Sequence, residues 1–285
     1  MITSAFSNAK RLAKESPSSP SSPKPIIVNQ GSLAIKPNIL LLGGTTEATT
    51  LAHKLKIAGV MGIVSFAGRV TRPAPQPLPV RIGGFGGTKG LINFIETQQI
   101  SHVIDATHPF ATQISAHAVA ACKVAKISIF ALTRPPWTES PEDHWRYVSH
   151  IENLKMTFNG TTQRIFLAIG RRHLSKITVS QHHFYLLRFV DPPNEPIPFQ
   201  NYEVIVDRGP FTVEKEMQLL HKFRINFVVA RNSGGSGAKA KILAARKLRL
   251  PVIMIERPST GHQRQTYNPE DILNWLTHNT TARGV

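Results

Sequence analysis

The stretch at residues 102–122 reads HVIDATHPFATQISAHAVAAC. Its apolar start predicts a strand, and the small residues that follow predict a helix over about 110–122 that can lie close against a sheet. Pro109 suits the first helical position, because a helix leaves that N–H without an acceptor, so His108 would fall at or near the N-cap. Such a helix end favours an anion. On its own residues the stretch is either an anion site or an ordinary strand–helix turn of an α/β protein.

Composition restricts the class of protein. The 285 residues suffice for one large or two ordinary domains, and 41% of them are hydrophobic. No run approaches the roughly 18–20 apolar residues of a membrane span, so we expect no membrane partner. The single cysteine, Cys122, excludes an internal disulfide and a cysteine-based zinc site. We therefore expect a cytoplasmic protein without a metal site.

The charge balance is strongly basic, with a formal net charge of +17. Residues 1–37 contribute +4, which leaves +13 for the rest of the chain. This charge favours an anionic partner, either nucleic acid, an acidic membrane or a polyanionic small molecule, or it is simply a basic surface. Helix-turn-helix, RNP-type and zinc-finger patterns are missing, which argues against nucleic acid.

Three regions divide the chain. Residues 1–37 are rich in Ser and Pro and predict a disordered extension. Strand-like and helix-like runs then alternate, which predicts an N-terminal dinucleotide-binding α/β domain at 38–136 and a C-terminal α/β domain at 137–285. The two halves echo each other, since Leu-Thr-Arg-Pro at 132–135 resembles Ile-Glu-Arg-Pro at 255–258. The fold class predicted is α/β, with two Rossmann-like subdomains of helix-flanked parallel sheet and a ligand cleft between them.

The first half carries the features of a dinucleotide site. Gly43-Gly44-Thr45 follows a strand-like run, and glycines allow backbone N–H groups to approach a phosphate, although G-x-G-x-x-G is not present. The second strand ends near Ser65 and Arg69, with no acid between residues 59 and 76. That composition suits a 2′-phosphate and favours NADPH, while Arg69 alone could be a surface charge. Gly-Gly-Phe-Gly-Gly at 83–87 permits close approach to a flat ligand.

Nine short motifs follow one another over residues 38–258. They are LLGGTTEA at 41–48, SFAGR at 65–69, GGFGG at 83–87, DATHPFA at 105–111, RPPW at 134–137, GR at 170–171, RGPF at 208–211, NSGG at 232–235 and PVIMI at 251–255. Together they resemble the precorrin-6A reductase family of cobalamin biosynthesis, which includes the cobalt-precorrin-6A reductases. The resemblance implies NADPH-dependent reduction of one macrocycle double bond of precorrin-6A to give precorrin-6B, with both ligands between two Rossmann-like subdomains.

The site residues follow from the motifs and this resemblance. The pyrophosphate is expected at Gly43, Gly44 and Thr45, the 2′-phosphate end at Ser65, Gly68 and Arg69, another cofactor contact at Gly84, and the nicotinamide near Thr107, His108 and Pro109. The polycarboxylate tetrapyrrole is expected at Arg171, Arg208, Asn232, Ser233 and Gly234. His108 is either a proton donor or a neutral cap of the turn, and Asp105 is expected to fix the turn.

Two other functions remain open on the sequence. One is another two-lobed NAD(P)-dependent oxidoreductase, and the other is a basic nucleotide- or nucleic-acid-binding protein without catalysis. We expect a monomer or a weak dimer. The residues do not distinguish a cobalt-containing from a metal-free substrate.

Overall fold

The computed structural model describes residues 36–68, 75–156, 158, 161–170, 174, 177, 182–193, 195–261 and 264–281. The strands are β1 (Asn38–Leu42), β2 (Met61–Phe66), β3 (Val80–Ile82), β4 (His102–Asp105), β5 (Ser128–Leu132), β6 (Trp145–Val148), β7 (Arg164–Ala168), β8 (Phe184–Phe189), β9 (Tyr202–Val206), β10 (Phe227–Arg231), β11 (Val252–Ile255) and β12 (Gln265–Thr266). The helices are α1 (Thr46–Ile57), α2 (Gly87–Thr97), α3 (Thr112–Ala125), α4 (Val213–Lys222), α5 (Ala240–Lys247) and α6 (Pro269–Thr281), with a 3₁₀ helix at Ile151–Met156. The extension expected at residues 1–37 lies almost wholly outside the described residues.

Two six-stranded parallel sheets form the framework. The first has the order β12-β5-β4-β1-β2-β3, and the second has the order β6-β11-β10-β7-β8-β9. Both are the order of a dinucleotide-binding fold, in which the chain winds outward from a central strand in both directions. β7 therefore takes the place of β1, β10 that of β4, and β11 that of β5. The predicted α/β class with two Rossmann-like parallel sheets is confirmed.

The chain crosses between the two sheets twice. β6 follows β5 in sequence but pairs with β11, through Trp145 and Val252. β12 follows β11 in sequence but pairs with β5, through Gln265 and Ala131. The sequence expectations do not include the return of β12 to the first sheet, because a two-residue strand carries no periodic signal. The division of the chain at residue 136 stays a prediction.

Helices cover both faces of the first sheet. α1 packs on one face through Ala48, Leu51, Ala52 and Leu55, beside Trp275 of α6. α2 and α3 cover the other face, where the small side chains of α3 allow the close packing that the sequence predicts. Burial of each leucine side chain contributes about 1.5–3 kcal/mol. In the part of the chain that the structure describes, no helix has both the length and the apolar character to span a membrane.

Candidate active site

The carboxyl ends of β1 to β4 surround a cavity of about 400 Å³. Parallel strands place all these ends at one edge of the sheet, where ligands bind in open α/β sheets. The cavity brings together seven of the residues predicted to contact the cofactor, namely Gly43, Gly44, Ser65, Gly68, Gly84, Thr107 and His108. Arg69 lies outside the described residues.

The glycines leave room for a ligand in this cavity. A Cβ atom added at Gly44, Gly83 or Gly84 would meet no heavy atom within 4 Å, and Gly44 has a φ of 119° that side chains rarely adopt. Thr45 is the N-cap of α1, since its Oγ1 accepts from the Ala48 N–H at 3.1 Å and donates to the Ala106 carbonyl at 2.8 Å. The first N–H groups of α1 therefore start beside an open glycine cradle, which fits a pyrophosphate.

Arg81 is a functional candidate that sequence reasoning missed. It lies on β3 opposite Ser65 and donates to Ser65 Oγ at 3.3 Å and to the carbonyls of Gly83 and Gly84, both at 2.6 Å. Its guanidinium carbon stands 3.9 Å from the centre of the Phe85 ring. These contacts put a fixed positive charge at the end of β2. The register that places Arg81 beside Ser65 requires the sheet pairing, which the sequence does not reveal.

The turn after β4 is held by the buried Asp105. Its Oδ1 accepts from the Thr107 N–H at 3.0 Å and from the Thr107 hydroxyl at 2.6 Å, which confirms that Asp105 fixes the turn. Phe110 carries the turn toward the second sheet, where it packs against that sheet's core 5.1 Å from the Arg231 guanidinium carbon. The turn is therefore anchored in both halves of the molecule.

The predicted helix start at Pro109 is wrong. α3 begins at Thr112 with Ala111 as the N-cap, so His108 and Pro109 belong to a separate turn. The reason is that His108 itself accepts the hydrogen bonds from the backbone N–H groups that follow it in that turn. Its Nδ1 accepts from the Phe110 N–H at 3.2 Å, and its carbonyl accepts from the Ala111 N–H at 2.7 Å.

A second cavity, of about 520 Å³, lies on the other side of this turn and shares Thr107 and His108 with the first. Its walls are mainly polar, and come from β4, α3, the end of β5 and the segment after β11. They include Asp105, Pro109, Ser115, Thr133, Arg257, Ser259, Thr260, Gln265 and Tyr267. No pattern in the sequence predicts this cavity, because the segment after β11 reaches the first sheet only where β12 pairs with β5.

Of the residues predicted to bind the tetrapyrrole, the four that the structure describes line neither cavity. Asn232 is buried and exchanges two hydrogen bonds with the Trp137 backbone, at 2.7 and 3.0 Å. A Cβ atom at Gly234 would stand 2.0 Å from the Pro135 carbonyl oxygen, and Ser233 is buried beside it. These three residues pack on the connection between β5 and β6.

The two predicted arginines lie elsewhere. Arg208 is exposed after β9 and pairs with Asp191 at 3.4 Å. Arg171 falls outside the described residues. Tetrapyrrole binding by this set stays a prediction.

Comparison with known proteins gives the family. The family model described as precorrin-6x reductase CbiJ/CobK matches residues 38–277. The chain belongs to this family. A precorrin-6A reductase of Rhodobacter capsulatus is 46% identical over 248 residues, which are 87% of this chain and 99% of that protein.

A solved structure of CobK precorrin-6A reductase has a TM-score of 0.80 and 45% identity, and covers 85% of this chain and 96% of that one. A cobalt-precorrin-6A reductase of Priestia megaterium is 26% identical over 256 residues, which are 86% of this chain and 100% of the relative. The family predicted from the ordered motifs is confirmed, and its members are reductases.

Proposed function

We propose that the protein catalyses the NADPH-dependent reduction of one macrocycle double bond of precorrin-6A. The observation that carries the proposal is the His108 turn, which separates a glycine-lined cavity from a polar cavity and lines both. Hydride transfer requires the hydride donor and its acceptor to be held in direct contact, and ligands in two adjacent cavities can meet in this way. The metal-free substrate is favoured because the relative named for it is 46% identical, against 26% for the relative named for the cobalt substrate.

NADPH supplies the hydride when it is bound, and the protein supplies position and electrostatics. The backbone of Gly43 and Gly44, with the start of α1, would hold the pyrophosphate. Ser65 and Arg81 would face the 2′-phosphate, because they form the polar end of β2 and β3 beside the same cavity.

His108 is placed to hold a proton at the junction of the cavities. Its Nδ1 accepts a hydrogen bond from the Phe110 N–H, so the neutral imidazole carries its proton on Nε2. In this tautomer Nε2–H can donate a hydrogen bond to the macrocycle beside the carbon that receives hydride, while water supplies the proton that the neighbouring carbon gains. The proposed roles of His108 are therefore to close the turn and to donate that hydrogen bond.

The charge of the chain suits this substrate. A polycarboxylate tetrapyrrole is attracted by the +13 that the sequence leaves outside residues 1–37. Steering by this charge would be screened by salt, since the Debye length is only about 10 Å at 0.1 M ionic strength. We expect the KM for precorrin-6A to rise with salt more steeply than kcat falls.

The test is anaerobic incubation of the purified chain with NADPH and precorrin-6A, followed by absorbance and mass spectrometry. We expect one NADPH to be oxidised for each product molecule that gains two hydrogens. Omission of precorrin-6A is the control. NADPH binding without any turnover would refute the proposal in favour of a nucleotide-binding protein, and equal rates with NADH would refute the cofactor assignment.

A further inference from the structure

The second cavity contains an arginine that is held firmly in place. Arg257 donates from Nε to the Asn232 carbonyl at 2.7 Å, from Nη1 to the Arg134 carbonyl at 2.7 Å, and from Nη2 to the Ser233 carbonyl at 2.9 Å. These three bonds use three of the five N–H groups of a guanidinium and leave one on each terminal nitrogen. Arg257 also lines the cavity, so its orientation is set before any ligand arrives.

Arg257 forms no direct ion pair in the part of the chain that the structure describes. Among the described residues, none has a carboxylate oxygen within 4 Å of its guanidinium, whereas the neighbouring Arg134 pairs with Glu47 at 2.9 Å. Burial and the charge of Arg134 lower the pKa of Arg257, and they outweigh Tyr267 and Glu47, which act in the opposite direction. A half-buried cation that is bonded only to neutral carbonyls is stabilised by an anion that reaches it from the cavity.

Neutral donors surround the same space. Hydroxyl-bearing side chains at Thr133, Ser259, Thr260 and Tyr267 line the cavity with Arg257. The one carboxylate in its walls, Asp105, is buried at the His108 end and accepts both bonds from Thr107. The part of the cavity near Arg257 therefore offers one cation and several hydroxyl donors, a set that suits a carboxylate.

We propose that the second cavity is a carboxylate site, in which Arg257, Thr260 and Tyr267 bind a side-chain carboxylate of the macrocycle next to the carbon that is reduced. The inference rests on the proposed function for the identity of the ligand. At about 520 Å³ the cavity takes one ring edge with its carboxylate arm rather than a whole tetrapyrrole. Its shared wall with the glycine-lined cavity, at Thr107 and His108, sets that edge beside the cofactor.

The test uses Arg257→Lys and Tyr267→Phe in the full chain, with Arg146→Lys on the exposed face of β6 as a matched control. The dissociation constants for precorrin-6A without NADPH, for NADPH and for uroporphyrin, a stable fluorescent polycarboxylate, are measured for each. We expect Arg257→Lys to weaken both tetrapyrroles about tenfold, because lysine loses the two-pronged donor, and Tyr267→Phe to weaken them less. The affinity for NADPH stays at the wild-type value.

Each outcome decides the proposal. Unchanged tetrapyrrole affinity in both variants would overturn it, and so would an equal loss of NADPH affinity, which would make the cofactor the anion. If Arg257→Lys does not fold, Tyr267→Phe and Thr260→Val decide alone, since neither side chain bonds the carbonyls that hold Arg257. A wild type that binds uroporphyrin but reduces no precorrin-6A would refute the proposed function and leave the carboxylate site standing.

Discussion

Replacement of Arg81 by alanine tests the cofactor assignment most directly. The substitution removes a guanidinium that bridges Ser65 and the carbonyls of Gly83 and Gly84 beside the glycine-lined cavity. Three of its five N–H groups are used in these bonds, so two remain for a ligand. If one of them meets the 2′-phosphate of NADPH, the variant loses a charge-assisted hydrogen bond that NADH never makes.

The size of the effect follows from the setting of the side chain. A hydrogen bond to a charged group contributes about 1.5–3 kcal/mol, which corresponds to about 10- to 150-fold in a dissociation constant. Arg81 is only half-buried, and exposure weakens such contacts, so we expect the lower end, about tenfold. Loss of support for the loop at Gly83 and Gly84 weakens NADPH and NADH equally. The ratio of the two affinities therefore isolates the 2′-phosphate.

The assay is calorimetric titration of the wild type, Arg81→Ala, Arg81→Lys and Lys89→Ala with each cofactor. Lys89 is an exposed cation on α2 and controls for general charge. Arg69→Ala belongs in the same series, because the sequence assigns the 2′-phosphate to Arg69. An Arg81→Ala variant whose NADPH-to-NADH ratio equals that of the wild type would refute the assignment and leave Arg81 as a support of the loop.

Three further outcomes are expected. His108→Ala should lower kcat by about 10²-fold or more with little change in NADPH affinity, and an unchanged kcat would show that His108 only closes the turn. Gly44→Ala should lower NADPH affinity at least tenfold in the same titration, whereas Gly59→Ala, which also has a positive φ and open space, should lose only about 1 kcal/mol of stability; equal NADPH affinities in the two variants would contradict the cradle. Burial raises the pKa of Asp143, but hydrogen bonds from Arg246 and Ser140 outweigh it and the net pKa is lowered. The stabilisation by the Asp143 carboxylate is therefore complete above the pKa of the unfolded state and is lost as the pH falls through the pKa of the folded state. We expect Asp143→Asn to lower Tm at pH 7 by an amount that disappears in acid. A Tm difference that persists in acid would refute this linkage.

The sequence predicts those parts of the fold that depend on local pattern. The alternation of strand-like and helix-like runs predicts the two helix-flanked parallel sheets that the structure shows. The sequence does not predict the start of α3 at Thr112, because a proline is compatible both with the first helical position and with a preceding turn. The sequence does not predict β12 either, because its two residues form a strand only by pairing with the edge strand β5.

The residues of the candidate site also fall into those that the sequence predicts and those that it does not. A single motif predicts a residue at the end of one strand, such as Gly43 or Thr107. Its place in the cavity then follows because parallel strands end at the same edge of the sheet. No single motif predicts a role for Arg81 or Arg257, because each acts through partners that the fold brings from other parts of the chain. Asn232 lies in a polar motif at a strand end, and its side chain hydrogen-bonds the Trp137 backbone, while its contact with the tetrapyrrole stays a prediction.

Hydrogen bonds join the two places where the chain crosses from one sheet to the other. Arg134 and Arg257 stand at equivalent places after β5 and β11, where the chain leaves one sheet for the other. Both donate to the Ser233 carbonyl, Arg134 from Nε at 2.8 Å and Arg257 from Nη2 at 2.9 Å. The two crossings are thus bonded at one oxygen, and Arg134 also reaches Glu47 in the first turn of α1. A change of angle between the sheets would have to break these bonds. The geometry between the glycine cradle, His108 and the carboxylate site is therefore set by the covalent path of the chain as well as by packing, which is the positioning that hydride transfer requires.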